Sequence, residues 1–159
     1  MFHGELVAIY ITATPGTPME SAAEITADPG MGLRGDRHSA GLRPAHKGGP
    51  KPDQEITLIE AEAIEGVVRD YKLDLSAQQT RRNLLTRGVP LNHLVGQTFR
   101  VGDVLLRGVE LCEPCGHLER LTFAGIKKAL LHRGGLRAQI IRGGTIRPGD
   151  AIGPAEEMA

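Results

Sequence analysis

The sequence predicts a mainly β fold with helices (α+β), in which a β-barrel or sandwich is packed with a few short helices. Its 21 glycines and 10 prolines in 159 residues place tight turns throughout the chain. The apolar segments between those turns are short, as is typical of strands. Only two stretches show helical periodicity, so a regular β-α-β alternation is absent.

The predicted core is aliphatic. The chain has no Trp, two Tyr and three Phe. At 17.0 kDa it fits one domain, residues 1–159. A compact chain of this size buries roughly 70% of its unfolded surface, which is enough for a real core.

The first third of the chain predicts two strands and a long loop. Residues 6–12 form the first strand, before a Thr-Pro-Gly turn, and residues 22–26 the second. A glycine-punctuated loop follows at 32–38. Residues 39–53 are mostly small residues, prolines and lysines with little to bury. This composition predicts a mobile loop, and loops of such length are often functional or disordered.

A strand at 56–59 precedes the first predicted helix, residues 60–71. The apolar residues of that helix recur at helical spacing, which predicts one buried stripe. They are Ile64, Val67, Val68 and Tyr71.

A strand at 84–86 leads into two segments that resemble each other, residues 98–105 and 145–152. Each places Gly-Asp between extended residues, which predicts a hairpin or a bend. The match is too short to indicate an internal duplication.

Between these two segments lies the second predicted helix, residues 123–132. Thr122 is its predicted N-cap and Gly134 its predicted stop. A strand at 136–141 follows.

The charge balance argues against two classes of partner. Nineteen basic and nineteen acidic residues cancel, so no global field attracts nucleic acid or an anionic membrane. No apolar run approaches the 18 or so residues that a membrane-spanning helix needs. The first residues lack the basic and apolar regions of a secretion signal, so a cytoplasmic location is predicted.

The only two cysteines, Cys112 and Cys115, stand three residues apart where an apolar, strand-like run ends. Four interpretations are open: packed thiols, a thioredoxin-like redox pair, half of a structural zinc site, or one reactive or metal-binding thiolate. Residues 116–121 intervene before good helical periodicity, which argues against the redox pair. The zinc site lacks further ligands at suitable spacing, and a structural disulfide is improbable in the cytosol.

Arginines in glycine-rich or turn-like stretches favour the last of these interpretations. They are Arg34, Arg37, Arg81, Arg82, Arg137 and Arg142. A guanidinium offers a planar fork of donors for phosphate or carboxylate, and glycine pairs at 134–135 and 143–144 would let backbone approach such a group. Arg82 stands out because it adjoins Asn83 at a strand entrance.

Several short motifs, taken in order, resemble a known family. They are Gly32-Leu33-x-Gly35-Asp36-x-His38, Arg82-Asn83-Leu84 before Arg87-Gly88, Gly102-Asp103, Pro114-Cys115, Arg142-Gly143-Gly144 and Gly149-Asp150. Their order and spacing over residues 4–154 resemble the MOSC domain, the C-terminal module of molybdenum-cofactor sulfurases, which also occurs as stand-alone bacterial proteins. The resemblance implies a strand-rich, MOSC-like β-barrel.

The resemblance also implies a site for the molybdenum cofactor (molybdopterin) with one central cysteine. The family's Pro-Cys maps onto Cys115, which becomes the predicted metal ligand and a catalytic residue, while Cys112 has no firm counterpart. The Gly-Asp-x-His loop adds Asp36 and His38 as catalytic candidates. With the arginines above, the predicted cofactor-binding set is Arg34, Arg37, Arg82, Asn83, Arg137 and Arg142.

Three functions follow as hypotheses. In the first, Cys115 ligates molybdenum in a reductase of N-hydroxylated compounds, which receives electrons from a separate flavin or iron–sulfur protein, because two cysteines cannot hold a cluster. In the second, Cys115 carries a persulfide for cofactor or metal–sulfur assembly, supplied by a cysteine desulfurase. In the third, the chain is a non-catalytic cofactor carrier. The substrate, the oligomeric state and the role of Cys112 are left open.

Overall fold

The computed structural model describes residues 2–39 and 54–155. Most of the predicted mobile loop, residues 40–53, lies outside the described residues. The strands are β1 (Gly4–Ile11), β2 (Glu20–Ser21), β3 (Ile25–Asp28), β4 (Gly32–Leu33), β5 (Ile56–Glu60), β6 (Leu84–Arg87), β7 (Thr98–Val101), β8 (Val104–Leu111), β9 (Leu136–Arg142), β10 (Gly144–Ile146) and β11 (Ala151–Pro154). The α-helices are α1 (Ala61–Tyr71), α2 (Gly116–Leu121) and α3 (Ile126–Ala129).

Seven of these strands close into a barrel. They follow one another in the order β11-β7-β8-β9-β5-β6-β1, and β1 pairs with β11 to complete the circle. At that junction Gly4 faces Ile152 and Glu5 faces Ala151. The neighbours pair antiparallel apart from β5 and β6, which are parallel and joined through α1. The predicted α+β class and MOSC-like barrel are therefore confirmed.

A smaller sheet of β10, β3 and β4 lies beside the barrel, and β2 pairs with the far end of β1. Because β9 and β10 are nearly continuous along the chain, the small sheet is tied directly to a barrel strand. The small sheet includes the first two residues of the 32–38 loop, which form β4.

Two hydrophobic clusters stabilise the fold. The larger fills the barrel and includes Leu58, Leu84 and the fully buried Phe99. The smaller includes Ile59 and Leu85 together with the apolar residues of α1 and α3. Successive side chains of a strand point to opposite faces, so consecutive residues of β5 and of β6 serve different clusters. The helices therefore cover one outer wall of the barrel.

Most predicted strands are confirmed. The segments at 6–12, 56–59, 84–86 and 136–141 correspond to β1, β5, β6 and β9, and the 98–105 segment is the β7–β8 hairpin. The strand predicted at 22–26 is wrong in its bounds, because residues 22–24 separate β2 from β3. Residues 145–152 contain the predicted bend, but its two arms join different sheets.

The predicted helix at 60–71 is confirmed as α1, but its buried face is partly wrong. Its buried residues are Ala61, Ala63, Gly66 and Val67. Val68 and Tyr71, placed in the stripe by periodicity, are 41% and 42% exposed. Ala61 and Val67 pack in the smaller cluster, and Gly66 is covered by the Arg133 side chain.

The helix predicted at 123–132 is also wrong. The chain forms two shorter helices, α2 and α3, with Thr122 at the end of α2 rather than at a helix start. The Thr122 hydroxyl donates back to the Leu118 carbonyl at 2.7 Å. Gly125, at a φ of 94°, then reverses the chain before α3, a conformation that glycine adopts without strain. α3 ends well before Gly134.

Within the described residues, no helix is long and apolar enough to cross a membrane.

A buried carboxylate ties the small sheet to the barrel. Glu55 is 1% exposed, and its Oε1 accepts hydrogen bonds from the backbone N–H groups of Gly30 at 3.1 Å and Ile140 at 3.2 Å. Burial raises the pKa of Glu55, and the two backbone donors only partly oppose that shift. Folding therefore favours the protonated carboxyl at this position.

This shift predicts a pH dependence of stability. Because the folded-state pKa of Glu55 is raised, the folded state binds more protons, and stability falls as pH rises from the ordinary glutamate pKa through the folded value. Glu55→Gln keeps the Oε1 acceptor and removes the charge. We expect thermal melts to show a gain in Tm for this variant at pH 7 that shrinks towards pH 4.5. The raised pKa of Glu60 leaves part of the dependence in place. An equal effect at both pH values would contradict the prediction.

Candidate functional site

The cysteine loop joins the end of β8 to α2 and holds its two thiols differently. Cys112 is 1% exposed, and its backbone N–H donates to the Gly135 carbonyl at 2.7 Å. Cys115 is exposed and extended, with a φ of −129°, and α2 begins at the next residue. The argument that residues 116–121 would separate Cys115 from a helix is thus wrong.

Arg82 holds this loop in place through hydrogen bonds to backbone carbonyls. Its Nε donates to the Gly134 carbonyl at 2.7 Å and its Nη2 to the Cys112 carbonyl at 3.1 Å. Burial lowers the pKa of Arg82, and electrostatic interaction with Cys112 opposes the shift. The guanidinium stays charged even so, because arginine is effectively never deprotonated in proteins. Arg82, which the sequence predicted to bind the cofactor, therefore uses its guanidinium to bind two backbone carbonyls.

Gly134 makes that arrangement possible. A Cβ at this position would collide with the Cys112 carbonyl oxygen and lie 3.0 Å from Pro114 Cδ. Gly143 is crowded in the same way by the Ala27 carbonyl of the small sheet. These glycines were expected to let the backbone approach a bound anion. In the structure, carbonyl groups of the chain itself approach them instead.

Asn83 joins three barrel strands at the entrance of β6. Its Oδ1 accepts from the Thr57 backbone N–H and hydroxyl, both at 3.1 Å, and its Nδ2 donates to the Tyr10 carbonyl at 3.1 Å. With 1% exposure and a satisfied carboxamide, Asn83 holds β1, β5 and β6 together beside the site. It is not among the residues that line the cavity described below.

The 32–38 loop is anchored by Asp36, which is fully buried. Its Oδ1 accepts from the Thr12 N–H at 3.1 Å and lies 3.3 Å from Arg37 Nη1. Arg37 Nη2 in turn donates to the Arg81 carbonyl at 3.2 Å. Asp36 therefore orients the Arg37 side chain. Asp36 is not itself among the residues that line the cavity described below.

The cysteine loop, the 32–38 loop and the Arg81–Arg82 segment enclose a cavity of about 190 Å³, called the thiol cavity below. Its lining within the described chain has four arginines, two histidines and two cysteines but no carboxylate. These residues are Arg37, Arg81, Arg82, Arg137, His38, His117, Cys112 and Cys115. Asp36 and Glu110 pair with Arg37 and Arg137 but do not line the cavity, so its lining favours an anionic ligand.

The structure therefore brings together four of the predicted site residues with Cys115: His38, Arg37, Arg82 and Arg137. Two others lie elsewhere. The Arg34 side chain is 67% exposed and paired with Asp28 at 2.7 Å, which raises its pKa. Arg142 is exposed at the end of β9, opposite Leu105. Neither lines the thiol cavity.

Arg81 is the cavity residue that the sequence did not single out. It has a left-handed backbone with a φ of 62°, and its Nη1 donates to the Thr17 carbonyl at 2.7 Å. Its Nη2 is buried without an acceptor among the described residues, and burial lowers its pKa against the attraction of Asp36. The adjacent Arg81 and Arg82 before Asn83 were the signal for Arg81 in the sequence. A sequence does not show which of two neighbouring arginines will use its guanidinium to bind backbone carbonyls.

A second cavity of about 670 Å³ adjoins the first, and the two share Gly16 and Arg81 as lining residues. Its walls come from the β1–β2, α1–β6 and α2–α3 connections. They mix apolar side chains such as Met19 and Phe123 with amides such as Gln78 and Gln79. We call it the outer cavity. Its lining is close to neutral, in contrast to the thiol cavity.

The family model of the MOSC domain matches residues 43–153. The chain belongs to the MOSC domain family. Three solved structures share the fold of this MOSC protein. The YuaD protein of Bacillus subtilis has a TM-score of 0.77 at 17% identity, over 96% of this chain and 97% of that one. YiiM of Geobacillus stearothermophilus gives 0.70 at 17% identity, over 94% and 74% of the two chains. YiiM of Escherichia coli gives 0.64 at 18% identity, over 96% and 69%. No curated protein matches the sequence significantly.

Membership of this family makes the chain a molybdenum-cofactor-related domain. Within residues 2–39 and 54–155, no three His, Cys, Asp or Glu side chains are grouped as ligands for a metal ion.

The role of Arg82 predicts a specific loss on mutation. In Arg82→Ala, the Cys112 and Gly134 carbonyls lose charge-assisted donors, so we expect about 1.5–3 kcal/mol less free energy of unfolding. Denaturant titration measures this loss, and alkylation of Cys112 should become faster. Arg69→Ala, which removes an exposed pair with Asp70, is the control and should change neither quantity appreciably. An Arg82→Ala chain as stable as the parent would contradict the assigned role.

Proposed function

We propose that this MOSC protein binds the molybdenum cofactor at the thiol cavity with Cys115 as its protein ligand, and that it reduces N-hydroxylated compounds. One observation carries the proposal: an exposed thiol lines a cavity with four arginines, two histidines and no carboxylate. A soft thiolate suits a metal held by dithiolene sulfur, and the surrounding cations suit an anionic cofactor.

The residues present fit such a group. The thiol cavity alone, at about 190 Å³, is smaller than the roughly 300–1,000 Å³ of typical ligand sites. The adjoining outer cavity of about 670 Å³ supplies the remaining room. Three of the cavity arginines already have partners: Arg82 donates to two backbone carbonyls, Arg37 contacts Asp36 and the Arg81 carbonyl, and Arg137 pairs with Glu110. A phosphate would therefore be held chiefly by Arg81. Arg81 is the strongest candidate because its Nη2 still lacks an acceptor.

In this role the cofactor supplies a metal centre able to pass two electrons to the substrate. The chain's own residues have the other tasks. Cys115 would hold the centre, and His38 and His117 line the same cavity, where an imidazole would deliver a proton to the departing oxygen. Reduction of R–NH–OH consumes two protons and two electrons and gives R–NH2 and water. The electrons come from a separate flavin or iron–sulfur protein, because two cysteines hold no cluster.

The first test is metal content. Protein purified from a host that makes molybdopterin should contain molybdenum by elemental analysis, and Cys115→Ser should lose most of it because a hydroxyl is a poor ligand for a soft metal site. Cys112→Ser is the matched control, since it removes the other thiol and should retain the metal. Molybdenum content that is zero in the parent, or indifferent to Cys115→Ser, would rule out the proposal.

The second test concerns the phosphate. Losing one charge-assisted contact costs about 1.5–3 kcal/mol, so Arg81→Gln should weaken cofactor retention roughly ten- to hundredfold. Fluorescence of the released, oxidised pterin measures that retention. Arg147→Gln, which breaks an exposed pair with Glu24, should retain the cofactor like the parent. Equal retention in both variants would remove Arg81 from the site.

A second candidate function is sulfur transfer, with Cys115 carrying a persulfide supplied by a cysteine desulfurase. The observation that favours it is the second thiol, because Cys112 lines the same cavity as Cys115. A metal ligand needs no such neighbour. After incubation with a desulfurase and cysteine, mass spectrometry of Cys115 should show one added sulfur atom, and its absence would count against this candidate. A carrier without catalysis would retain cofactor in Cys115→Ser but not in Arg81→Gln.

A further inference from the structure

Cys112 is buried in an unusual place for a packing residue. It is 1% exposed, yet among the described residues it belongs to neither of the two hydrophobic clusters. It lines the cationic thiol cavity instead. A thiol that served only to fill space would face apolar neighbours. Its position therefore calls for a chemical explanation.

The two thiols differ in access but share one small space. Cys115 is exposed, whereas Cys112 is closed to solvent, and both line the cavity of about 190 Å³. An external sulfur donor can therefore reach Cys115 first. Cys112 shares the cavity with Cys115 but is much less accessible, an arrangement that suits an attacking thiol and a second thiol that resolves its product.

The backbone at both thiols is held from outside the cysteine loop. Cys112 is bonded through its N–H to Gly135 and through its carbonyl to Arg82, at 2.7 and 3.1 Å. The Cys115 carbonyl accepts the first hydrogen bond of α2, from the Glu119 N–H at 3.2 Å. The loop between them contains Pro114, which is buried. The backbone at both thiols is thus held by hydrogen bonds.

Cationic side chains surround the pair. Four arginines line the cavity with the two cysteines, and no carboxylate lines it among the described residues. A thiolate is the reactive form in disulfide exchange.

We propose that Cys112 is a resolving thiol that discharges a persulfide formed on Cys115. This inference rests on the sulfur-transfer candidate above and gives that candidate a second catalytic residue. The Cys112 thiolate attacks Sγ of the Cys115 persulfide, the bond from that Sγ to the outer sulfur breaks, and the outer sulfur leaves with the electron pair as hydrosulfide.

The step balances without an added oxidant. The outer sulfur gains two electrons, and the two cysteines lose two as they form the Cys112–Cys115 disulfide. The proton of Cys112 passes to an imidazole of the cavity or to solvent, and a small thiol such as glutathione then reduces the disulfide for the next cycle. The product is one hydrosulfide for each persulfide, released inside a cationic cavity.

Inorganic polysulfide tests the step without a partner protein. The full-length chain is reduced, loaded with sodium tetrasulfide and desalted. Mass spectrometry then follows the chain, and a hydrosulfide-reactive fluorophore follows the released sulfur. Because the chain has only two cysteines, each mass change is assigned without ambiguity. The parent should release hydrosulfide as it loses two hydrogen atoms relative to the reduced chain.

The variants separate the inference from the function on which it rests. Cys112→Ser should keep one added sulfur at Cys115 and release hydrosulfide at least roughly tenfold more slowly, until an external thiol is added. Cys112→Ala is the second variant, in case a buried hydroxyl impairs folding, and thermal melts check both. Cys115→Ser should take up no stable sulfur.

Two results would overturn the inference, and they differ. If Cys115 gains sulfur and the Cys112 variants release hydrosulfide as fast as the parent, Cys112 is not the resolving thiol, although sulfur transfer stands. If Cys115 gains no sulfur from polysulfide, the inference and the sulfur-transfer candidate fail together, while molybdenum binding is unaffected.

Discussion

The site depends on the two hydrogen bonds that the partly buried Arg82 guanidinium donates to backbone carbonyls. Arg82 stands at the entrance of β6 and bonds to carbonyls at the end of β8 and just before β9. Three elements that are distant in sequence are thus joined by one charged side chain. The barrel gives the site its walls, and Arg82 determines where the two thiols lie within them.

The site combines two environments of different character. The thiol cavity concentrates cations around sulfur, whereas the outer cavity is larger and nearly neutral. Arg81 belongs to both, held by the Thr17 carbonyl on one side and attracted by the buried Asp36 on the other. Such a division suits chemistry in which an anionic reacting group is held apart from a larger, uncharged remainder. It is equally compatible with cofactor binding and with sulfur transfer, which is why tests that separate the two thiols are decisive.

The sequence predicted local structure well where a pattern is decided by near neighbours. The β7–β8 hairpin follows from its Gly-Asp turn, and the long barrel strands follow from their apolar runs. The sequence failed where tertiary contacts decide, as at α1, where Ala63 and Gly66 are buried and Val68 is exposed. The site followed the same rule. Arg37 was predicted from its residue type and setting, and Cys115 and His38 from the resemblance to the MOSC domain, but the different roles of Arg81 and Arg82 depend on which carbonyls lie within reach. Asp36 and Asn83 were predicted as a catalytic and a cofactor-binding residue, whereas the structure buries both and leaves them out of the cavity lining.

The junction between β1 and β11 closes the barrel with partners from opposite ends of the described chain. During synthesis on the ribosome, β1 emerges before the other strands of the barrel, and its partner β11 emerges after all of them. Contacts of such long sequence separation slow folding, because loop-closure entropy must be overcome before they form. The strand edge of β1 is meanwhile unpaired on that side, where another nascent chain can add to it. The closed barrel has no free strand edge at this junction, whereas the chain under synthesis has an unpaired β1 edge until β11 has been made.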